Sequence, residues 1–268
     1  MERFICIGEK IHVIAPSIRK ALEDKDPAPI LDRARAQIAA GAHYIDANIG
    51  PAESNGPELM EWIVKVLLED NPNVPLALDT ANAKAIEAGL KVHADLYKGD
   101  PNLKPIINST DGTDARLNLY MPLAAEYGAD IIALCAKDGI PKDKDERMMV
   151  CTEIIEKAIG FGVDPTQCYF DPLVVVVKGM ADQNADIFDC IKEISDMGLK
   201  TTGGLSNCSN GCPKELRGLI EGAWVAMAIQ RGFSSAIVNP TDKLLMDIIK
   251  TAEVVTNKTI YCDSYLEL

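Results

Sequence analysis

The chain has 268 residues, 47% hydrophobic and 25% charged, which is enough to bury one large core and excludes a disordered tail or a miniprotein. Its 27 Lys and Arg stand against 40 Asp and Glu, a formal charge of −13, so a nucleic-acid backbone would meet net repulsion. No apolar run approaches the roughly 20 residues that cross a bilayer, and the opening Met1-Glu2-Arg3-Phe4-Ile5-Cys6 lacks an export-signal core. The expectation is a cytoplasmic protein with neither nucleic acid nor membrane as partner.

Short apolar runs alternate with amphipathic helical patterns from end to end, the mark of repeated βαβ units. In chain order, strands are predicted near Phe4–Gly8, Tyr44–Asn48, Leu76–Asp79, Pro105–Asn108, Ile131–Leu134, Cys168–Asp171, Thr201–Gly204 and Ala236–Val238. Between them, Ile30, Leu31, Ala34 and Ile38 mark the first helix, and Leu244, Leu245, Ile248, Ile249, Ala252 and Val255 mark the last. Asp26 ahead of Pro27, and Gly56-Pro57-Glu58, read as helix starts. Ala40-Gly41-Ala42, Ala88-Gly89, Tyr127-Gly128-Ala129-Asp130 and Met197-Gly198-Leu199 read as helix ends. This recurrence predicts an α/β fold, a (β/α)8 TIM barrel forming a single domain over residues 1–268. An open doubly wound sheet is the rival, but neither a Gly-x-Gly-x-x-Gly after the first strand nor a phosphate-binding Gly-Lys-Ser/Thr loop is present.

The predicted strands end on polar residues. Glu9, Asp46, Asn48, Asp79, Asn108, Asp171 and Asn207 all fall at or just past a C-terminal strand end, the face on which a barrel assembles its site. Each alone reads equally well as a turn former, whereas seven together point to a polar cavity. Carboxylates accept paired N–H bonds, and carboxamides supply both donors and acceptors, so the ring suits the amino-pyrimidinone edge of a planar heterocycle. A divalent cation is the competing occupant, weakened by the share of amides in the set.

Other chemistries find less support. His12, His43 and His93 form no zinc-binding pair and read as structural. The eight cysteines are irregularly spaced and read as reduced thiols, mostly interior, with Cys208 and Cys212 too far apart for a Cys-x-x-Cys motif. No Gly-x-Ser-x-Gly elbow marks a covalent hydrolase. The cationic segments Arg33-Ala34-Arg35 and Lys142-Asp143-Lys144 read as solvated faces.

Several stretches in order resemble the methyltetrahydrofolate:corrinoid methyltransferases, a family of pterin-binding barrels. They are Gly8-Glu9-Lys10-Ile11, Asp46 through Ala52, Leu78-Asp79-Thr80-Ala81-Asn82 with Lys84 through Leu90, Ile107 through Thr110, Gly139 through Asp143, Asp171-Pro172-Leu173, Gly204 through Asn207, and Tyr261 through Ser264. The resemblance implies that Asp79, Asn108 and Asp171 hold the pterin edge, that Asn207 approaches N5 of the folate, and that Gly204 and Ser206 touch substrate beside it. Glu9, Asp46 and Asn48 would support these from behind. After Asn207 the chain reads Asn210-Gly211-Cys212-Pro213-Lys214-Glu215-Leu216-Arg217 and departs from the family's Gln- and Arg-bearing loop, so contacts there do not carry over.

The implied reaction moves the N5 methyl of 5-methyltetrahydrofolate to or from the Co(I) of a corrinoid, in one-carbon metabolism such as acetyl-CoA synthesis or O- and N-demethylation. Asn207 and Asp79 would be the catalytic residues, with Asp79, Asn108 and either Asp46 or Asn48 ordering a water relay for the proton. None of the histidines lies in the Asp-x-His-x-x-Gly pattern of a corrinoid domain, so the corrinoid is expected on a separate corrinoid protein, and the resemblance implies a homodimer. Two alternatives stay open: a dihydropteroate-synthase-like enzyme, which needs basic residues for pyrophosphate, and a pterin-binding protein without turnover.

Overall fold

The computed structural model describes residues 3–52, 54–97, 100 and 103–267. Met1 and Glu2, which open the segment read for an export signal, lie outside the described residues. Among the described residues eight strands are present: β1 (Ile5–Ile11), β2 (Tyr44–Asn48), β3 (Leu76–Asp79), β4 (Ile106–Thr110), β5 (Asp130–Leu134), β6 (Cys168–Asp171), β7 (Lys200–Thr201) and β8 (Ser235–Val238). They run parallel in the order β7-β6-β5-β4-β3-β2-β1-β8. A parallel bridge from Gly204 to Ile237, with Ile237 N donating to Gly203 O at 2.9 Å, closes the ring beyond the short β7. The result is the predicted (β/α)8 barrel, with every predicted strand in place.

Helices α1 (Pro16–Asp24), α2 (Ala28–Ala39), α3 (Gly56–Asp70), α4 (Ala83–Tyr97), α5 (Asp114–Tyr127), α6 (Lys144–Gly160), the single turn α7 (Val177–Met180), α8 (Asn184–Asp196), α9 (Lys214–Gln230) and α10 (Lys243–Val255) surround it. Asp26 starts α2 as its side chain predicts, with Oδ1 accepting from Ala28 N at 3.1 Å. Gly128 caps α5 in the left-handed conformation and donates its N–H to Ala124 O. Among the described residues no helix is long and apolar enough to cross a membrane.

Alternation along each strand sorts the interior into two cores. Ile7, Ala77, Ile106, Ile132 and Tyr169 form one cluster inside the barrel. Their chain neighbours, including Leu76, Leu78, Ile107, Ile131, Ala133, Cys168 and Phe170, join the larger core between strands and helices. Glu9, Asp46, Asp79, Asn108 and Asp171 each stand two residues from a member of the inner face, so the same period aims them into the barrel at its C-terminal end.

One predicted helix end is corrected. Ala88-Gly89 lies within α4, not at its end. A Cβ on Gly89 would come within 2.6 Å of Met60 Cγ and 3.0 Å of Leu78 Cδ1, so the glycine serves close packing of α4 on α3 and β3. Replacing a helical glycine with alanine gains about 1 kcal/mol of propensity, whereas overpacking costs about 1–3 kcal/mol. Gly89→Ala is therefore expected to lower stability by up to about 2 kcal/mol in urea unfolding; a stabilised variant would show that α4 can shift to make room.

Candidate functional site

Strand register assembles the site. Asn48 pairs with Asp79 across β2 and β3, and Asp79 pairs with Asn108 across β3 and β4, so three polar side chains stand in one row at the C-terminal rim. Asp46 lies two residues below Asn48, on the same face. Asn108 Nδ2 donates to Asp46 Oδ1 at 3.0 Å, and Asn48 Nδ2 donates to Asp79 Oδ2. Asn48 Oδ1 in turn accepts from Gly50 N at 2.9 Å, which fixes its amide orientation. The Asn108–Ser109 peptide is cis.

The loops behind this row are tied to each other. Thr80 Oγ1 donates to Gly50 O at 2.6 Å, and Asn82 Nδ2 donates to Ala52 O at 2.9 Å, joining the segment after β2 to the segment after β3.

Burial sets the charge state. Asp46 is 4% exposed, and burial together with the neighbouring Asp79 carboxylate pushes it well above the ordinary carboxylate range, with the Asn108 bond offsetting part. Asp79 is also raised by burial, with the bonds from Asn48 and Asp46 pulling the other way. Two neighbouring carboxyls in a low dielectric favour protonation of one of them, and the stronger upward push falls on Asp46. Asp171 is pushed up to about 7 by burial, partly offset by N–H bonds from Leu173, at 2.8 Å, and Val174.

The remaining predicted residues lie around this floor. Ser206 Oγ donates to Glu9 Oε2 at 2.9 Å, and burial raises Glu9 above its ordinary value. Gly204 and Ser206 belong to the closing segment after β7, where Leu205–Ser209 makes a 3-10 turn. Asn207 is exposed on that turn, and its Oδ1 accepts only a 3.5 Å bond from Asn210, which restrains the amide little. A Cβ on Gly204 would stand 3.0 Å from Asn207 Nδ2, so the bare backbone there leaves room for the amide. The structure thus joins Asp46, Asn48, Asp79 and Asn108 in one network, and Glu9 and Ser206 in a second. It leaves Asp171 bonded to its own loop and Asn207 on the rim.

Arg147 is the residue that the sequence reading missed. It is 0% exposed on α6, donating from Nε to Pro172 O at 2.8 Å, from Nη1 to Asp143 O at 3.0 Å and from Nη2 to Gln183 Oε1 at 2.8 Å. These bonds hold the Asp171-Pro172-Leu173 loop from behind. The signal was available: Arg147 shares a helical face with Val150, Cys151, Ile154 and Ala158, all buried.

All eight cysteines are unpaired, six of them buried. Among the described residues no group of three or more His, Cys, Asp or Glu side chains is placed to hold a metal ion.

The sequence pattern described as pterin binding enzyme matches residues 16–239. The chain belongs to that family. The methylcorrinoid:tetrahydrofolate methyltransferase of Eubacterium limosum is 28% identical to this pterin-binding chain over 97% of its length and 94% of the relative. The methionine synthase of Mycobacterium tuberculosis is 26% identical over 91% of the chain, which spans only 21% of that protein. Among solved structures, the dihydropteroate synthase of Clostridium difficile, determined in the presence of pteroic acid, superposes with a TM-score of 0.72 over 94% of this chain and 97% of that one. Its identity is 20%, so this likeness is one of fold. The protein is an enzyme of the pterin-binding family, similar in sequence to a methylcorrinoid:tetrahydrofolate methyltransferase and in fold to dihydropteroate synthases.

The buried carboxyl of Asp171 yields a pH test. Its folded value of about 7 lies above the ordinary 3.8, so across that window the folded chain binds the extra proton and stability falls as pH rises. Asp171→Asn removes the effect. Relative to wild type, the variant is expected to gain stability from about pH 4 to about pH 7 and to level off above, with a ceiling on the order of 4 kcal/mol. Urea midpoints of both proteins at pH 5 and pH 8.5 measure this, and parallel curves would show that Asp171 ionises as an ordinary carboxylate.

Proposed function

We propose that this enzyme transfers the N5 methyl group between 5-methyltetrahydrofolate and the Co(I) centre of a corrinoid carried by a separate protein. The observation that carries this reading is the end-to-end likeness to the Eubacterium limosum methyltransferase. The chemistry of the rim supports it. Asp171, once ionised, can accept both N–H groups of a pterin's amino-pyrimidinone edge, while Asp79 and Asn108 offer an acceptor and an acceptor–donor pair to the remaining heteroatoms. A synthase-type reaction would expel pyrophosphate and needs cations at the mouth. The segment after β8 reads Asn239-Pro240-Thr241-Asp242 and carries none, and Arg116, beside β4, is engaged with Ser109 O and Asp111.

In the methyl-donating direction the C–N5 bond breaks, carbon takes its new bonding pair from cobalt, and N5 keeps the old pair and gains a proton. An amide anion is a prohibitively poor leaving group, so a donor that strengthens as charge builds on N5 lowers the barrier. Asn207 Nδ2 fills that role. A carboxamide does not release a proton at neutral pH, and the Asp46–Asp79 pair, holding one proton beside Asn108 and Asn48, supplies it through ordered water. Exposure of Asn207 fits the approach of a second protein, because a corrinoid ring has to meet the methyl group face on from solution.

The test uses wild-type enzyme, methyltetrahydrofolate and free Co(I) cobalamin, following loss of the Co(I) absorbance. Asn207→Ala is expected to lower kcat by on the order of 10²-fold while folate binding persists. Wild-type turnover in that variant would remove Asn207 from the mechanism. Release of pyrophosphate from a hydroxymethylpterin pyrophosphate with 4-aminobenzoate, without cobalt methylation, would replace the assignment with the synthase.

A further inference from the structure

The turn that carries Asn207 is tied at two points to distant parts of the chain. Ser206 Oγ reaches Glu9 on β1, at 2.9 Å. Three residues on, Ser209 Oγ donates to Glu221 Oε1 on α9 at 2.5 Å, and the same hydroxyl lies 3.3 Å from Ser206 O. Ser209 is 0% exposed and Glu221 7%, while Leu205 and Cys208 are buried beside them. Only Asn207 of these five turn residues is exposed.

Burying a carboxyl is costly unless its bonds repay it, and an apolar residue at position 221 would pack α9 on the barrel at lower cost. The bond that Glu221 makes ends on the Asn207 turn. Lys10, the residue after Glu9, acts electrostatically on both carboxyls and so brings the two ties into one charge environment. Burial raises Glu221, and the Ser209 bond offsets part of that.

We infer that Glu221, acting through Ser209, is a positioning residue that fixes the turn Leu205–Ser209 and so sets where the Asn207 amide meets the substrate. This rests on the methyl-transfer reading for its kinetic consequence and on the hydrogen-bond geometry alone for its mechanical one. A misplacement of about 1 Å at a reacting atom costs on the order of 10²-fold in rate, so the tie acts on turnover and leaves affinity alone. Asp79, Asn108 and Asp171 lie on other strands and keep the pterin edge.

The experiment compares Glu221→Ala, Glu221→Gln and Ser209→Ala in the full chain. In Glu221→Ala, kcat for cobalamin methylation is expected to fall at least about tenfold with the Kd for methyltetrahydrofolate unchanged. Glu221→Gln keeps the wild-type kcat, because the carboxamide oxygen accepts the same bond. Ser209→Ala reproduces the loss with almost no change in volume and covers the case in which Glu221→Ala does not fold. Hydrogen exchange at the amides of Asn207 and Asn210, which bond to Gly204 O at 3.1 Å and to Asn207 O at 3.2 Å, reads the turn without any substrate. It is expected to quicken in Glu221→Ala and Ser209→Ala and to stay at the wild-type rate in Glu221→Gln, with α9 unaffected. Unchanged exchange, an unchanged kcat, or a kcat loss shared with weakened folate binding would overturn the inference. Faster exchange in a protein whose wild type shows no methyl transfer would uphold the tie and reject the reaction.

Discussion

Parallel pairing of β2, β3 and β4 in a single register is the constraint from which the site follows. It sets Asn48 against Asp79 and Asp79 against Asn108, with Asp46 beneath, and leaves these groups no way to separate without slipping a strand. Burial and the neighbouring Asp79 carboxylate push Asp46 upward, which favours its protonated form beside that acid. The corner that results is rich in both donors and acceptors, and rigid because its members sit on strands.

Below the rim, Ile7, Ala77, Ile106, Ile132 and Tyr169 fill the barrel interior, and at the opposite end Tyr44, Asp130 and Lys200 line a cavity of about 620 Å³. Most apolar burial lies instead between strands and helices. Stability and chemistry are therefore housed in different places: outward-facing residues of each strand secure the fold, and inward-facing residues of the same strands carry the site.

Much of this was legible in the residues. Alternation of apolar and polar positions, read with the strand ends, placed the barrel and Glu9, Asp46, Asn48, Asp79, Asn108 and Asp171 at its mouth, because period and chain direction alone fix which side chains share a face and an end. Gly89 was misread because a glycine signals a turn only when nothing crowds it; here Met60 and Leu78 crowd it, and those neighbours lie far off in sequence. The Ser209–Glu221 bond and the three bonds of Arg147 were hidden for a related reason. A charged side chain on a helix reads as solvated until the surface that covers it is known. The exposure of Asn207 was likewise beyond sequence, since it depends on how one short turn closes over β8.

Cys208 stands directly after Asn207 in the chain, and its burial has a chemical consequence for the reaction proposed above. A thiolate there would be a strong rival nucleophile, able to capture the methyl group as a thioether and silence the enzyme. Burial pushes the Cys208 thiol up to about 12, so at neutral pH its sulfur stays protonated and unreactive. Under the proposed reaction, that burial keeps a thiol beside Asn207 from competing for the methyl group.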